Sequence, residues 1–230
     1  MVATTVHLMR HGEVFNPQGV LYGRLPGYHL SELGHEMARR VAAHLSGSSS
    51  SDGEQPVPDG GAEHPFDVAV VIASPLQRAQ ETATPVAEAF GLELGTDERL
   101  LEAGNHFEGM TFGVGDGSLR HPQHWPYLWN PLRPSWGEPY TQQVARMRAA
   151  VEDARVKAEG REAVLVSHQL PVWVTRLSFE GKRLWHDPRK RQCSLASLTS
   201  LRFEDDRLVG IHYTEPVADL LPGATKVSGA

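Results

Sequence analysis

Thr5-Val6-His7-Leu8-Met9 runs without a break into Arg10-His11-Gly12. The first five residues are largely apolar and suited to a strand, and reactive side chains begin where that run stops. The same arrangement recurs twice. Val68-Ala69-Val70-Val71-Ile72-Ala73 leads into Ser74-Pro75, and Ala163-Val164-Leu165-Val166 leads into Ser167-His168. Between these runs lie helical patterns. Ser31 is placed to cap a helix with apolar positions at Leu33, Met37, Val41 and Leu45, and Ser74-Pro75 to cap and open one reaching Phe90. Tyr140, Val144, Met147, Val151 and Ala154 mark one face of a third helix ending at Gly160, and Pro171 opens a fourth. Ser194 to Phe203 and Leu208 to His212 alternate like strands around the Glu204-Asp205-Asp206 turn. This alternation predicts a three-layer α/β/α fold with a largely parallel central sheet, whose ligands bind beyond the carboxyl ends of the strands. Arg10, His11, the segment Ser74 to Arg78, and His168 would then meet at one sheet edge.

The length of 230 residues suits one large α/β domain, expected over residues 1–218. Residues 46–61, rich in Ser, Gly, Pro and Asp, read as a disordered insertion. Residues 104–139, with little periodicity and three of the five tryptophans, read as an irregular, cap-like excursion, and residues 219–230 as a loose tail. Twenty-two basic against 28 acidic residues give a net charge of −6, so neither nucleic acid nor an anionic membrane is an expected partner and any phosphate site must be locally basic. The first residues lack the charged start and apolar stretch of a secretion signal, and no apolar run is long enough to span a membrane, so a cytoplasmic location is expected. A single cysteine, Cys193, excludes a disulfide within the chain and reads as a small buried hydrophobe. No pattern speaks to oligomeric state.

Hydrolysis of a phosphate monoester needs cations around the phosphoryl oxygens, a nucleophile and a proton source. Arg10 and Arg78 offer planar forks of donors, and a helix beginning near Pro75 could aim its N-terminus at the same anion. A neutral His11 could attack phosphorus if its other ring nitrogen kept a proton, most simply through a backbone carbonyl. His168 would donate to the oxygens that gather charge. Glu102 would protonate the leaving alkoxide if burial raised its pKa, with Glu13 and Glu108 as competitors. No cofactor or metal is called for, because arginine and histidine supply the charge.

Leu8-Met9-Arg10-His11-Gly12-Glu13 resembles the Arg-His-Gly signature of the histidine phosphatase superfamily, the phosphoglycerate mutase-like fold. Further resemblances follow in order: Leu30-Ser31-Glu32-Leu33-Gly34, Ser74-Pro75-Leu76-Gln77-Arg78-Ala79 with Thr82-Ala83, Leu101-Glu102, and Val166-Ser167-His168. The resemblance implies that His11 is the phosphorylated nucleophile and Glu102 the proton donor. Arg10, Arg78 and His168 would form the phosphate pocket, with Asn16 as a phosphate contact and Tyr22, Gly23 and Gln169 as further substrate-binding residues. The substrate would be a small-molecule phosphate ester. Where the family's mutases carry basic and tyrosine residues after the acid, this chain has Ala103-Gly104-Asn105-His106-Phe107, which favours a phosphatase. Phosphoryl transfer of the mutase type, or a catalytically idle phosphate-binding module of the same fold, are the alternatives. Gln169 replaces the glycine usual after the second histidine.

Plainer readings cover the remaining features. His106, His121 and His124 lack the spacing of a metal site. Trp125, Tyr127, Trp129, Trp136 and Tyr140 read as loop packing before pocket lining. The basic run from Arg183 to Arg191 reads as solvated, with Arg191 the member that could reach the rim of the site.

Overall fold

A computed structural model describes residues 2–48, 66–111, 122–127 and 137–224, without the side chains of residues 123, 124 and 127. Six strands form one sheet: β1 (Ala3–Arg10), β2 (Val68–Ala73), β3 (Leu94–Thr96), β4 (Glu162–Ser167), β5 (Leu198–Glu204) and β6 (Arg207–Thr214). Their order is β3-β2-β4-β1-β5-β6. The first four are mutually parallel, while β5 runs antiparallel to β1 and β6 to β5. The sheet is therefore mostly parallel, as the alternation of apolar runs and helical patterns predicts.

Side chains alternate across the sheet and give it two buried faces. Met9, Val71, Val164, Val166 and Leu198 pack against α1 (Glu32–Ser46) and α2 (Gln77–Ala89). Val6, Leu8, Ile72, Leu165 and Leu201 pack against Met147, Ala150, Val151 and Ala154 of α3 (Tyr140–Ala158) and Val172 of α4 (Gln169–Phe179). No helix among the described residues is long and apolar enough to cross a membrane.

The register delivers the convergence on which function depends. Arg10 of β1 lies opposite Ser167 of β4, and Ala73 of β2 lies opposite Val166. Each strand thus ends at the same level, so the next residues, His11, Ser74 and His168, emerge side by side. Two backbone bonds fix the step: His11 N donates to the Ser167 carbonyl at 3.1 Å and Ser74 N to the Val166 carbonyl at 2.9 Å.

Several boundaries differ from the sequence reading. Helix α2 begins at Gln77, with Leu76 as an N-cap whose apolar side chain makes no capping bond, and the Ser74 hydroxyl lies against His168. Helix α4 begins at Gln169, two residues before Pro171, which sits in its first turn. Ser194 to Ser197 is a turn that precedes β5, and the short edge strand β3 escapes a periodicity search. Residues 219–223 of the expected loose tail belong instead to a 3-10 turn (Ala218–Gly223) in which Leu220 and Leu221 pack on the α1/α2 core and Asp219 pairs with Arg40 at 2.6 Å. Of the segment read as a disordered insertion, Ser46 ends α1 and Gly47 caps it, while residues 49–61 lie outside the described residues. The excursion is described in part: Asn105 and Gly137 form an isolated bridge, and Pro122–Tyr127 a 3-10 turn.

Candidate active site

The turn after β1 is built by two glycines in backbone contact. A Cβ on Gly12 would lie 2.7 Å from the Gly34 carbonyl oxygen, and one on Gly34 would lie 2.0 Å from the Glu13 carbonyl oxygen. Only hydrogen fits at either position, so α1 docks directly on the strand end that carries His11. Ser31 completes the junction. Its N–H donates to the Glu13 carbonyl at 2.9 Å, its hydroxyl donates to the Glu13 carboxylate, and its oxygen caps α1 through Gly34 N. Glu13, a competitor for the proton-donor role, is therefore held at the start of the helix.

His11 is fully buried. Its Nδ1 lies 2.8 Å from the Gly12 carbonyl oxygen. A carbonyl only accepts, so Nδ1 carries the proton and Nε2 keeps its lone pair. That Nε2 is buried and has no hydrogen-bond partner among the described residues. Burial, then the positive charges of Arg78 and Arg10, hold the ring well below the usual imidazole pKa, against a smaller opposing effect of the Gly12 carbonyl. The ring is thus neutral at pH 7.

His168 faces it, the ring centroids 5.1 Å apart. Its Nε2 lies 2.9 Å from the Ser74 hydroxyl and its Nδ1 is buried without a partner among the described residues. Desolvation, followed by Arg78 and His11, lowers its pKa well below the usual value. The Leu76 N–H lies 3.4 Å from the Ser74 oxygen. If Ser74 accepts there and donates to His168 Nε2, then Nδ1–H is the free donor.

The two arginines close the other sides. Arg78, 1% exposed, donates Nη2 to the Gly23 carbonyl at 2.6 Å, lies 4.6 Å from the centre of the Tyr22 ring, and leaves Nε unbonded. Arg10 donates Nη1 to the Cys193 carbonyl at 2.8 Å. Arg78 forms no ion pair with a carboxylate within 4.0 Å among the described residues, and the two buried guanidinium groups stand around two imidazole nitrogens that have no partner there. A buried charge is costly without compensation, and a tetrahedral anion would supply it.

Glu102 follows a 3-10 turn (Glu98–Leu100) docked on β4 by the Ser167 hydroxyl, which donates to the Leu100 carbonyl at 2.7 Å. Burial raises its pKa, opposed by the Ala103 N–H on Oε1 at 2.7 Å and by the charges of Arg78, Arg191 and Arg10. The carboxyl thus shares the site with all three arginines. Glu108 is turned to its own loop, where Oε1 accepts from Asn105 N at 3.2 Å, although its charge reaches Arg78.

The expected binding residues divide. Tyr22 is buried, its ring centroid 6.5 Å from that of His11. Gly23 contributes the carbonyl under Arg78. Asn16 closes on its own loop, donating to the Val20 carbonyl at 2.8 Å and accepting from Val20 N at 3.1 Å, with one amide hydrogen left over. Gln169 lies on the rim, where Nε2 donates to the Cys193 carbonyl at 3.4 Å. Cys193 itself is buried and its thiol is pushed up to about 11, as suits an inert core position.

Other residues were not singled out as site residues. Arg24 Nε donates to the Glu102 carbonyl at 2.6 Å, and both Arg24 and Arg146 grip Glu138, at 2.9 and 2.8 Å. This clamp ties the acid segment to the start of α3. These three carry no local signal, since they meet from loops and a helix face far apart in sequence. Arg191, the member of the basic run that could reach the rim, comes beside the acid. Trp125 is exposed, and the side chains of Tyr127, Trp129 and Trp136 lie outside the described residues, as do those of His121 and His124. Among the described residues no group of three or more His, Cys, Asp or Glu is arranged to hold a metal ion.

Comparison with known proteins identifies the family. The profile of the histidine phosphatase superfamily (branch 1) matches residues 60–215, a span that takes in Arg78, Glu102 and His168. An uncharacterized protein of Mycobacterium tuberculosis, Rv0525, is 53% identical over 215 residues, covering 94% of this chain and 98% of that protein. Phosphoserine phosphatase 1 of Hydrogenobacter thermophilus is 27% identical over 211 residues, 88% of each chain. Among solved structures, a mycobacterial glucosyl-3-phosphoglycerate phosphatase shares the fold with a TM-score of 0.61 at 24% identity, over 87% of this chain and 90% of that one. The profile match spans most of the chain and the mycobacterial relative nearly all of it: the chain belongs to the histidine phosphatase superfamily, branch 1.

Proposed function

We propose that this protein is a phosphomonoester hydrolase that works through a phosphohistidine on His11 and needs no metal ion. One observation carries the reading: His11 Nδ1 is tied to a carbonyl, while Nε2, with its lone pair, stands unbonded between two buried arginines and a second histidine. Arg10 and Arg78 hold the phosphoryl oxygens, and His168 donates to one of them through Nδ1. The His11 Nε2 lone pair forms a bond to phosphorus as the ester P–O bond breaks, and the departing oxygen takes the proton of Glu102. Water then attacks the phosphohistidine. Glu102, now a carboxylate, removes a proton from that water, the P–N bond breaks, and inorganic phosphate and neutral His11 are released.

Rapid quench with a radiolabelled ester tests this directly. The expected result is acid-labile, base-stable phosphate on the wild type and none on His11→Asn, together with release of inorganic phosphate that added bisphosphoglycerate does not change. Undiminished turnover by His11→Asn would sink the mechanism, and turnover dependent on bisphosphoglycerate would favour a mutase. Binding of phosphate with no hydrolysis across a broad ester panel would leave only an idle module.

A further inference from the structure

Arg191 is carried by the loop after α4, yet it is coupled to the phosphate pocket by a chain of side-chain contacts. The Cys193 carbonyl accepts from Arg10 Nη1 at 2.8 Å and from Gln169 Nε2 at 3.4 Å. Gln169 Oε1 in turn accepts from Arg191 Nη1 at 3.3 Å, and Arg191 Nε donates to His186 Nε2 at 2.9 Å. His186 is itself oriented, its Nδ1 lying 2.7 Å from the Leu184 carbonyl oxygen, and its ring packs against Tyr140 with centroids 5.6 Å apart. A glutamine at position 169 thus does what a glycine could not: it bridges the phosphate-facing arginine to a second one.

Two of the five N–H donors of Arg191 are used in these bonds, and Arg191 has no carboxylate within ion-pair distance among the described residues. Its partners are a neutral amide and the lone pair of a histidine. Arg24 and Arg146, by contrast, share Glu138.

Resting on the phosphatase reading above, we propose that Arg191, held by Gln169 and His186, is a specificity subsite selecting phosphomonoesters that carry a second anionic group on the alcohol portion. Burial lowers the Arg191 pKa, while Tyr140 and Glu102 oppose the shift, so the guanidinium stays charged in a partly desolvated position where an ionic hydrogen bond is strong.

A matched set of three-carbon esters tests this: 3-phosphonooxypropanoate, propane-1,3-diol bisphosphate and 3-hydroxypropyl phosphate. The expected result is a kcat/KM at least about tenfold higher for one or both doubly acidic esters than for the hydroxypropyl ester. The carboxylate and bisphosphate arms tell which anion is preferred. In Arg191→Gln that ratio collapses towards one, chiefly through KM, and Arg191→Lys restores part of it. The ratio is internal to each variant, so a general loss of folded protein does not imitate the result. A ratio near one in the wild type, or one unchanged in Arg191→Gln, overturns the proposal. Calorimetric affinities for the same three esters read the subsite even if none is hydrolysed, an outcome that would defeat the phosphatase reading alone.

Discussion

Replacing Gly34 by alanine sets two well-understood effects against each other. Gly34 lies in the first turn of α1, where alanine is normally favoured over glycine by about 1 kcal/mol. Propensity alone therefore predicts a more stable protein. The packing predicts the reverse. The added Cβ would stand 2.0 Å from the Glu13 carbonyl oxygen, 2.9 Å from its carbonyl carbon and 3.0 Å from its nitrogen. All three are backbone atoms, so no rotamer relieves the overlap. Ordinary contact begins at 3.4 Å, which requires α1 and the Glu13 strand end to separate by about 1.4 Å. That movement pulls on the bond from Ser31 N to Glu13 O and on the adjoining Gly12 and His11. The net cost should be roughly 2–4 kcal/mol, with a fall in melting temperature of roughly 4–16 °C for a chain of this size. Displacing His11 by about 1 Å should lower kcat/KM on an aryl phosphate about 100-fold even at temperatures where the protein stays folded. Gly210, whose Cβ would meet nothing within 4 Å, provides the control, and its alanine variant should resemble the wild type. Thermal unfolding and initial rates measured on both variants decide the matter. A Gly34→Ala protein that melts at or above the wild type with full activity would refute the idea that this backbone contact positions the nucleophile.

Two further outcomes follow from the protonation states. Glu102→Gln should lower kcat/KM on alkyl phosphates about 10²- to 10⁴-fold, with a smaller deficit on p-nitrophenyl phosphate, whose leaving group departs without a proton. Because burial raises the Glu102 pKa, activity should fall on the alkaline side as the acid is lost, and the variant should lack that limb; a deficit independent of leaving group would assign Glu102 another role. For stability the sign is set by His11 and His168, whose folded pKa values lie well below the usual 6.5. Their contribution is fully present above the unfolded value and is lost as pH falls through about 6.5, because the unfolded chain then binds protons that the folded chain refuses. At pH 5.5 the loss should approach roughly 2–3 kcal/mol, with the more exposed His44 adding little. Urea unfolding at pH 7.5 and 5.5 measures it, and stability unchanged between them would contradict the buried neutral pair.

The elements visible in the sequence are those whose burial is one-dimensional. β1, β2 and β4 are flanked by other strands and covered on both faces, so each appears as an unbroken apolar run. β3, three residues with a central glycine at the sheet edge, leaves no such trace. The site was legible for a related reason. Parallel strands in matched register end at one level, so residues that follow three separate runs must be neighbours in space. Ser74 marks the limit of that logic. A serine before Pro-Leu looks like a cap, and only the register that places it beside His168 turns it into a partner of the imidazole. The 3-10 turn at residues 218–223 leaves no periodic trace because a single short turn has no repeat, although Val217, Leu220 and Leu221 are an apolar cluster that packs on the core.

Arg24, Arg146 and Glu138 had no such signal, and Arg191 only its place in a basic run, because each reaches the site from a loop or helix face whose path depends on the rest of the fold. Their common feature is electrostatic. A chain with a net charge of −6 has to build a cationic pocket against its own field, and a guanidinium confined among apolar groups tends to find a carboxylate. Arg24 and Arg146 are satisfied by Glu138 and become rigid supports for the acid segment. Arg78 and Arg191 are anchored on a carbonyl, an amide and an imidazole, partners that fix orientation without neutralising charge. That division separates support from function more sharply than burial does, since Arg78 and Arg146 are both substantially covered. An arginine anchored by neutral acceptors keeps its field for a ligand, and the geometry of those acceptors, more than the count of basic residues, is what makes an anion site in an acidic protein.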